Sequence, residues 1–147
     1  MEIAILGLGC FWGPEIKFSK LDGIVNTEVG YCGGHSGETN YKEVCTGTTN
    51  HAEVVKLDFD PKVISYEKIL KFFFEIHNPT TLNSQGPDFG TQYRSEIFYL
   101  NDQQKEISEK IIKEENIKFS GKIVTKTSLV KNYCPAEEYH KKYLQKR

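Results

Sequence analysis

The chain has 147 residues, with 19 lysines and arginines against 20 aspartates and glutamates and a net charge of −1. It reads as one domain, residues 1–147, long enough to bury a core without cross-links. The balanced charge argues against a nucleic-acid or anionic-membrane partner, and no apolar stretch approaches the roughly 20 residues of a membrane span.

Residues 2–8 are mostly apolar and read as a central strand. They carry no basic leader and no small-residue cleavage site, so the N-terminus is expected to be structure and not a signal peptide. A cytoplasmic setting follows, in which the four cysteines rest as thiols. The run ends in Leu8-Gly9-Cys10-Phe11-Trp12-Gly13, and a short helix over 14–21 is expected next, with Ile16 and Phe18 partly inward and Asp22-Gly23 as its stop. A thiol at a strand-to-helix junction meets unpaired N–H groups that favour the thiolate, the nucleophilic form. Cys10 is therefore the first candidate for chemistry, with Phe11-Trp12 as an apolar wall.

A strand over 24–29 leads into the glycine-rich loop 30–34, then a polar loop over 35–40 and a helical turn at 41–45. Residues 51–60 alternate as a strand: Ala52, Val54, Leu57 and Phe59 are apolar, Glu53 and Lys56 polar, and the change of phase predicts a bulge near Val55. Ser65 is placed to cap a helix over 66–77, in which Ile69, Leu70, Phe73 and Ile76 recur at helical spacing. Residues 78–92 read as a long loop. A strand over 93–100, an amphipathic helix over 102–115, a strand over 122–129 and a last helix over 136–145 complete an α+β order; Lys141-Lys142 and Lys146-Arg147 read as that helix's solvated end.

Glu53 has two readings on pattern alone. It is an outward residue of an alternating strand, or it is buried, in which case desolvation keeps its carboxyl protonated near neutrality and fit for general-acid work. Asp88, between Gly86 and Gly90, suits an Asx-turn. Tyr41 and Tyr93 alone read as packing residues with a polar tip. Cys10, Cys32, Cys45 and Cys134 form no C-x-x-C pair, and His35, His51, His77 and His140 no H-x-x-x-H, so no metal site is expected.

Five segments stand in order: Gly9-Cys10-Phe11-Trp12-Gly13, Tyr41-x-x-Val44-Cys45-x-Gly47, His51-Ala52-Glu53, Gln85-Gly86-x-Asp88-x-Gly90-x-Gln92-Tyr93-Arg94-Ser95, and Pro135-Ala136-Glu137-Glu138-Tyr139-His140. Together they resemble the peptide-methionine (S)-S-oxide reductases, the A-type methionine sulfoxide reductases, from about residue 3 to residue 144. The resemblance implies a two-layer α+β sandwich with a ferredoxin-like βαββαβ core, a mixed sheet and helices packed on it. It implies protein repair under oxidative stress: Cys10 attacks the sulfoxide sulfur and becomes a sulfenic acid. Phe11 and Trp12 hold the substrate methyl group, Tyr41, Glu53 and Tyr93 surround the sulfoxide oxygen, and Asp88 helps fix the substrate main chain. No bound cofactor or metal is implied, and the chain is expected to act as a monomer.

The sulfenic acid is then reduced, by family habit through a second cysteine whose disulfide passes to thioredoxin; glutaredoxin or a small thiol is the alternative reductant. Many relatives keep resolving cysteines in a glycine-rich C-terminal tail, whereas this sequence ends at Arg147. The expected resolving thiols are Cys32, where the family commonly has alanine, and Cys134, where it commonly has an aromatic, acting singly or in relay from loops. Three rival readings stand beside this one. Cys10 with His51 or His140 could form a hydrolase or acyl-transfer pair. A peroxide-reducing enzyme would form the same sulfenic acid, and a metal or redox-sensing module is the non-enzymatic alternative.

Overall fold

The computed structural model describes residues 1–9, 12–33, 52–81, 84–85, 88–89, 93–130 and 133–135; at 12, 84–85, 88–89 and 134–135 it describes the backbone alone. In chain order the elements are β1 (Glu2–Leu8), α1 (Trp12–Ser19), β2 (Ile24–Cys32), β3 (Ala52–Phe59), α2 (Tyr66–Glu75), β4 (Ser84–Gln85), β5 (Asp88–Phe89), β6 (Ser95–Tyr99), α3 (Asp102–Lys118), β7 (Lys126–Leu129) and β8 (Cys134–Pro135). The main sheet runs β7-β6-β1-β3-β2-β8. Its inner four strands are antiparallel, with α1 between β1 and β2 in sequence and α2 between β3 and β6. That is the expected ferredoxin-like βαββαβ core. Helix α3 then carries the chain to β7, which pairs in parallel with β6 and makes the sheet mixed.

Burial explains the sequence pattern of the central strands. Ala4, Leu6, Leu8, Val55, Leu57 and Phe59 enter the larger apolar cluster, with Phe18 of α1 and Ile69 and Phe73 of α2. The intervening Ile5, Ala52 and Val54 join Cys32 and Phe98 in a second cluster on the other face, against which Val130 and Tyr133 pack. Strand β3 is thus buried on both faces from Ala52 to Val55. The bulge expected at Val55 is absent: what looked like a change of phase is an unbroken strand buried on two sides. The irregularity lies in β2, between Ile24 and Asn26.

Helix α2 begins where the sequence predicts, with Ser65 Oγ accepting from the Lys68 amide at 3.1 Å. Helix α3 is capped by Asn101, whose side chain accepts from the Gln104 amide at 2.8 Å, and Gln104 Nε2 donates to the Ile3 carbonyl at 2.7 Å. A polar side chain at a buried position therefore ties the helix to β1.

Several boundaries differ from the sequence reading. Strand β2 continues through Cys32 where a loop was expected from residue 30, because β3 offers partners as far as Ala52. Cys134 opens a short strand against β2 instead of lying on a loop. The segment 78–92 contains the hairpin β4–β5. The turn expected at 41–45 and the helix at 136–145 lie outside the described residues. No described helix is long and apolar enough to cross a membrane.

Candidate functional site

Antiparallel pairing brings the end of β1, the end of β2 and the starts of β3 and β6 to one end of the sheet, and α1 also begins there, four residues after Leu8. Close packing marks this end. A Cβ on Gly7 would come within 3.3 Å of the Arg94 carbonyl oxygen and 3.5 Å of that of Glu53. On the β6 side the backbone approaches β1 more closely there than a side chain would comfortably allow, and on the β3 side it lies at ordinary contact distance.

Glu53 is the second residue of β3 and lies opposite Tyr31 in the ladder. Its side chain is 1% exposed, so of the two sequence readings the inward one is observed. Tyr31 belongs to the larger cluster and its neighbour Cys32 to the second, which places Glu53 and Cys32 on opposite faces. Tyr93 is half-buried and stands two residues before β6, whose first residue, Ser95, pairs with Leu8. Glu53 and Tyr93 thus share the end of the sheet at which the Gly9–Trp12 junction lies.

Cys10, Phe11 and Tyr41 lie outside the described residues, as do His51 and His140 of the rival hydrolase reading. Trp12 is the first residue of α1. Asp88 begins β5, paired with Gln85, and Cys134 pairs with Tyr31 at the edge of β2. Among the described residues, no group of three histidine, cysteine, aspartate or glutamate side chains could hold a metal ion.

Three features escaped the sequence reading. Glu15, in the first turn of α1, is wholly buried and accepts from Thr27 Oγ1 at 3.0 Å; by pattern alone it is an ordinary acid favoured by the helix dipole. Arg94 Nε donates to Glu96 Oε1 at 2.6 Å, and Ser128 Oγ donates to Glu96 Oε2 at 2.5 Å. His77, just past α2, contacts the Phe73 carbonyl through Nδ1 at 2.5 Å and Ser95 Oγ through Nε2 at 2.8 Å. Ser95 Oγ in turn lies 2.7 Å from Thr125 Oγ1. Burial lowers the His77 pKa to about 4, only partly opposed by the Phe73 carbonyl.

The family model for peptide methionine sulfoxide reductase matches residues 2–147. A relative from Pelagibacter ubique, described as peptide methionine sulfoxide reductase MsrA, is 79% identical over 147 residues, covering all of both chains. The crystal structure of reduced Mxr1 from Saccharomyces cerevisiae superposes with a TM-score of 0.95 at 44% identity, over 99% of this chain and 85% of that one. The structure of Mxr1 in complex with Trx2 gives a TM-score of 0.71 at 33% identity, over 95% of this chain and 83% of that one.

Proposed function

This chain belongs to the peptide methionine sulfoxide reductase family and reduces methionine sulfoxide; on that premise we propose that Cys10 is its nucleophile and the S-epimer its substrate. A sulfoxide sulfur is electrophilic, but its oxygen leaves poorly, so attack must be matched by protonation of that oxygen. The Cys10 thiolate gives its electron pair to the sulfoxide sulfur while Glu53 gives a proton to the oxygen. The sulfur–oxygen bond and the transient sulfur–sulfur bond then break as the protonated oxygen bonds to Cys10 Sγ, so that methionine departs as a thioether with the electron pair and Cys10 is left as a sulfenic acid. Tyr41 and Tyr93 donate hydrogen bonds to the oxygen as its charge grows. Phe11 and Trp12 form the methyl slot, and Asp88 helps fix the substrate main chain. An apolar slot on one side and donors on the other distinguish the two sulfur epimers.

The observation that carries this reading is the burial of Glu53 at the end of the sheet where β1 runs on towards Cys10. A carboxyl withdrawn from water is held towards its neutral form, the form that can donate.

Resolution falls to Cys134 ahead of Cys32. A thiol attacks the sulfenic acid, a disulfide forms and water leaves. Cys32 is buried on the face opposite Glu53, whereas Cys134 sits on the short edge strand beside Tyr31. Thioredoxin then reduces the disulfide, a role supported by the yeast relative's complex with Trx2; glutaredoxin or a small thiol would serve in its absence. We take residues 1–147 to act as one monomeric catalytic domain in the cytoplasm, where such dithiols are kept reduced.

Methionine release from separated S and R sulfoxides with dithiothreitol tests the reading. Turnover is expected on the S-epimer alone, and Cys10→Ser should abolish it. An active Cys10→Ser protein would end this account.

A further inference from the structure

The hydrogen-bond chain at His77 has a direction fixed by its ends. The Phe73 carbonyl can only accept, so Nδ1 carries the ring proton and donates to it. For the neutral ring this leaves Nε2 as an acceptor for the Ser95 hydroxyl, 2.8 Å away. The Ser95 proton is then committed to His77, so Ser95 Oγ accepts from Thr125, 2.7 Å away. The depressed pKa of about 4 keeps the ring neutral at physiological pH. The ring itself is fixed by packing, with its centroid 4.3 Å from that of Phe73 and 6.1 Å from that of Phe74.

What this chain holds is the start of β6. Ser95 pairs with Leu8, the last residue of β1, and Tyr93 lies two residues upstream. A second tie runs parallel to it, as the Val124 amide donates to the Pro79 carbonyl at 2.8 Å. The end of α2, the start of β6 and the approach to β7 are therefore joined at the same end of the sheet as Glu53.

We propose that His77 is a positioning residue for sulfoxide reduction, setting through Ser95 the place from which Tyr93 meets the substrate oxygen. The inference rests on the role given above to Tyr93. Donors to a developing oxyanion act only at the right distance, and a displacement of about 1 Å can cost on the order of 100-fold in rate. Binding of the ground-state sulfoxide depends far less on that alignment, so loss of His77 should appear in kcat and not in KM.

The experiment is steady-state kinetics on the S-sulfoxide under saturating dithiothreitol, well below each variant's melting temperature. His77→Phe keeps a ring but removes both hydrogen bonds; kcat is expected to fall about tenfold with KM changed less than about twofold. His77→Gln, whose Oε1 can accept from Ser95, should recover most of that loss. Ser95→Ala and Thr125→Val interrupt the same chain without disturbing the His77 ring, and serve if His77→Phe does not fold; the kcat loss should follow the chain. Tyr93→Phe is the reference. A slow Tyr93→Phe beside folded His77→Phe and Ser95→Ala proteins that match the parent in kcat would overturn the inference alone. A Tyr93→Phe protein as fast as the parent would overturn the Tyr93 reading and the inference with it.

Discussion

Glu53 faces Tyr31 across the β2–β3 ladder, and the two side chains are 1% and 0% exposed. An ionised carboxylate in such surroundings would be costly, whereas a neutral acid is tolerated and can give up its proton only as charge appears beside it. Glu53→Gln preserves the shape and a hydrogen-bond donor but has no proton to transfer. At neutral pH kcat should fall about 100-fold, within the usual range for loss of a general acid, with KM little changed. Methionine release under excess dithiothreitol measures both, and a rate near the parent's would remove Glu53 from the mechanism.

The two candidate resolving cysteines should behave differently. Cys32 is buried within β2 and pairs with Ala52 of β3, so exposing its thiol would require the end of β2 to separate from β3. Cys134 lies on the two-residue edge strand β8, whose release from the sheet is a local opening of the low-cost kind. After one turnover without reductant, Cys32→Ala should still form an internal disulfide and Cys134→Ala should not. Peptide mapping of the spent proteins decides it. If the parent itself shows no disulfide, an external thiol performs the step.

His77 makes stability depend on pH in a defined window. Its pKa falls from 6.5 to about 4 on folding, so above pH 6.5 neither state binds the proton and nothing is lost. Between about 6.5 and 4 the unfolded chain takes up a proton that the folded chain refuses, and stability declines. Below about 4 both states are protonated and the decline stops. The full loss is about 3 kcal/mol. Urea titrations from pH 7 to pH 4 should show this slope in the parent, and His77→Gln should flatten it by a comparable amount. Equal slopes in both proteins would mean that His77 titrates alike folded and unfolded.

Strands and helices driven by burial were legible in the sequence, because Ile69, Leu70 and Phe73 repeat at helical spacing and β1 is a plain apolar run. Strand β3 was harder. Its two-sided burial hides the alternation that would have said which way Glu53 points, and only the ladder settles it. The motif resemblance named candidate site residues that pattern could not, since nothing in periodicity marks Tyr93 or Asp88. It offered no help with His77 and Glu15, whose importance comes from partners distant in sequence, Ser95 and Thr27. Strand β8 escaped because two residues carry no period at all.

Gly33 and Gly121 separate backbone strain from crowding. Both have positive φ, +79° and +77°, yet a Cβ at Gly121 meets nothing within 4 Å while one at Gly33 would lie 2.7 Å from Phe98 Cε1 and 3.1 Å from Arg94 Nη2. Gly121→Ala should cost only the left-handed backbone penalty, about 1–2 kcal/mol. Gly33→Ala adds overpacking against a buried ring, about 1–3 kcal/mol more, and urea denaturation of the two variants reads the difference. Arg94 cannot recoil freely, because its Nε is held by Glu96 at 2.6 Å. Pressure from residue 33 therefore passes to the backbone next to Tyr93. Gly33→Ala should lose kcat as well as stability, and Gly121→Ala, where an added Cβ presses on nothing, stability alone. A fully active Gly33→Ala enzyme would show that the Tyr93 segment is held independently of its neighbours across the sheet.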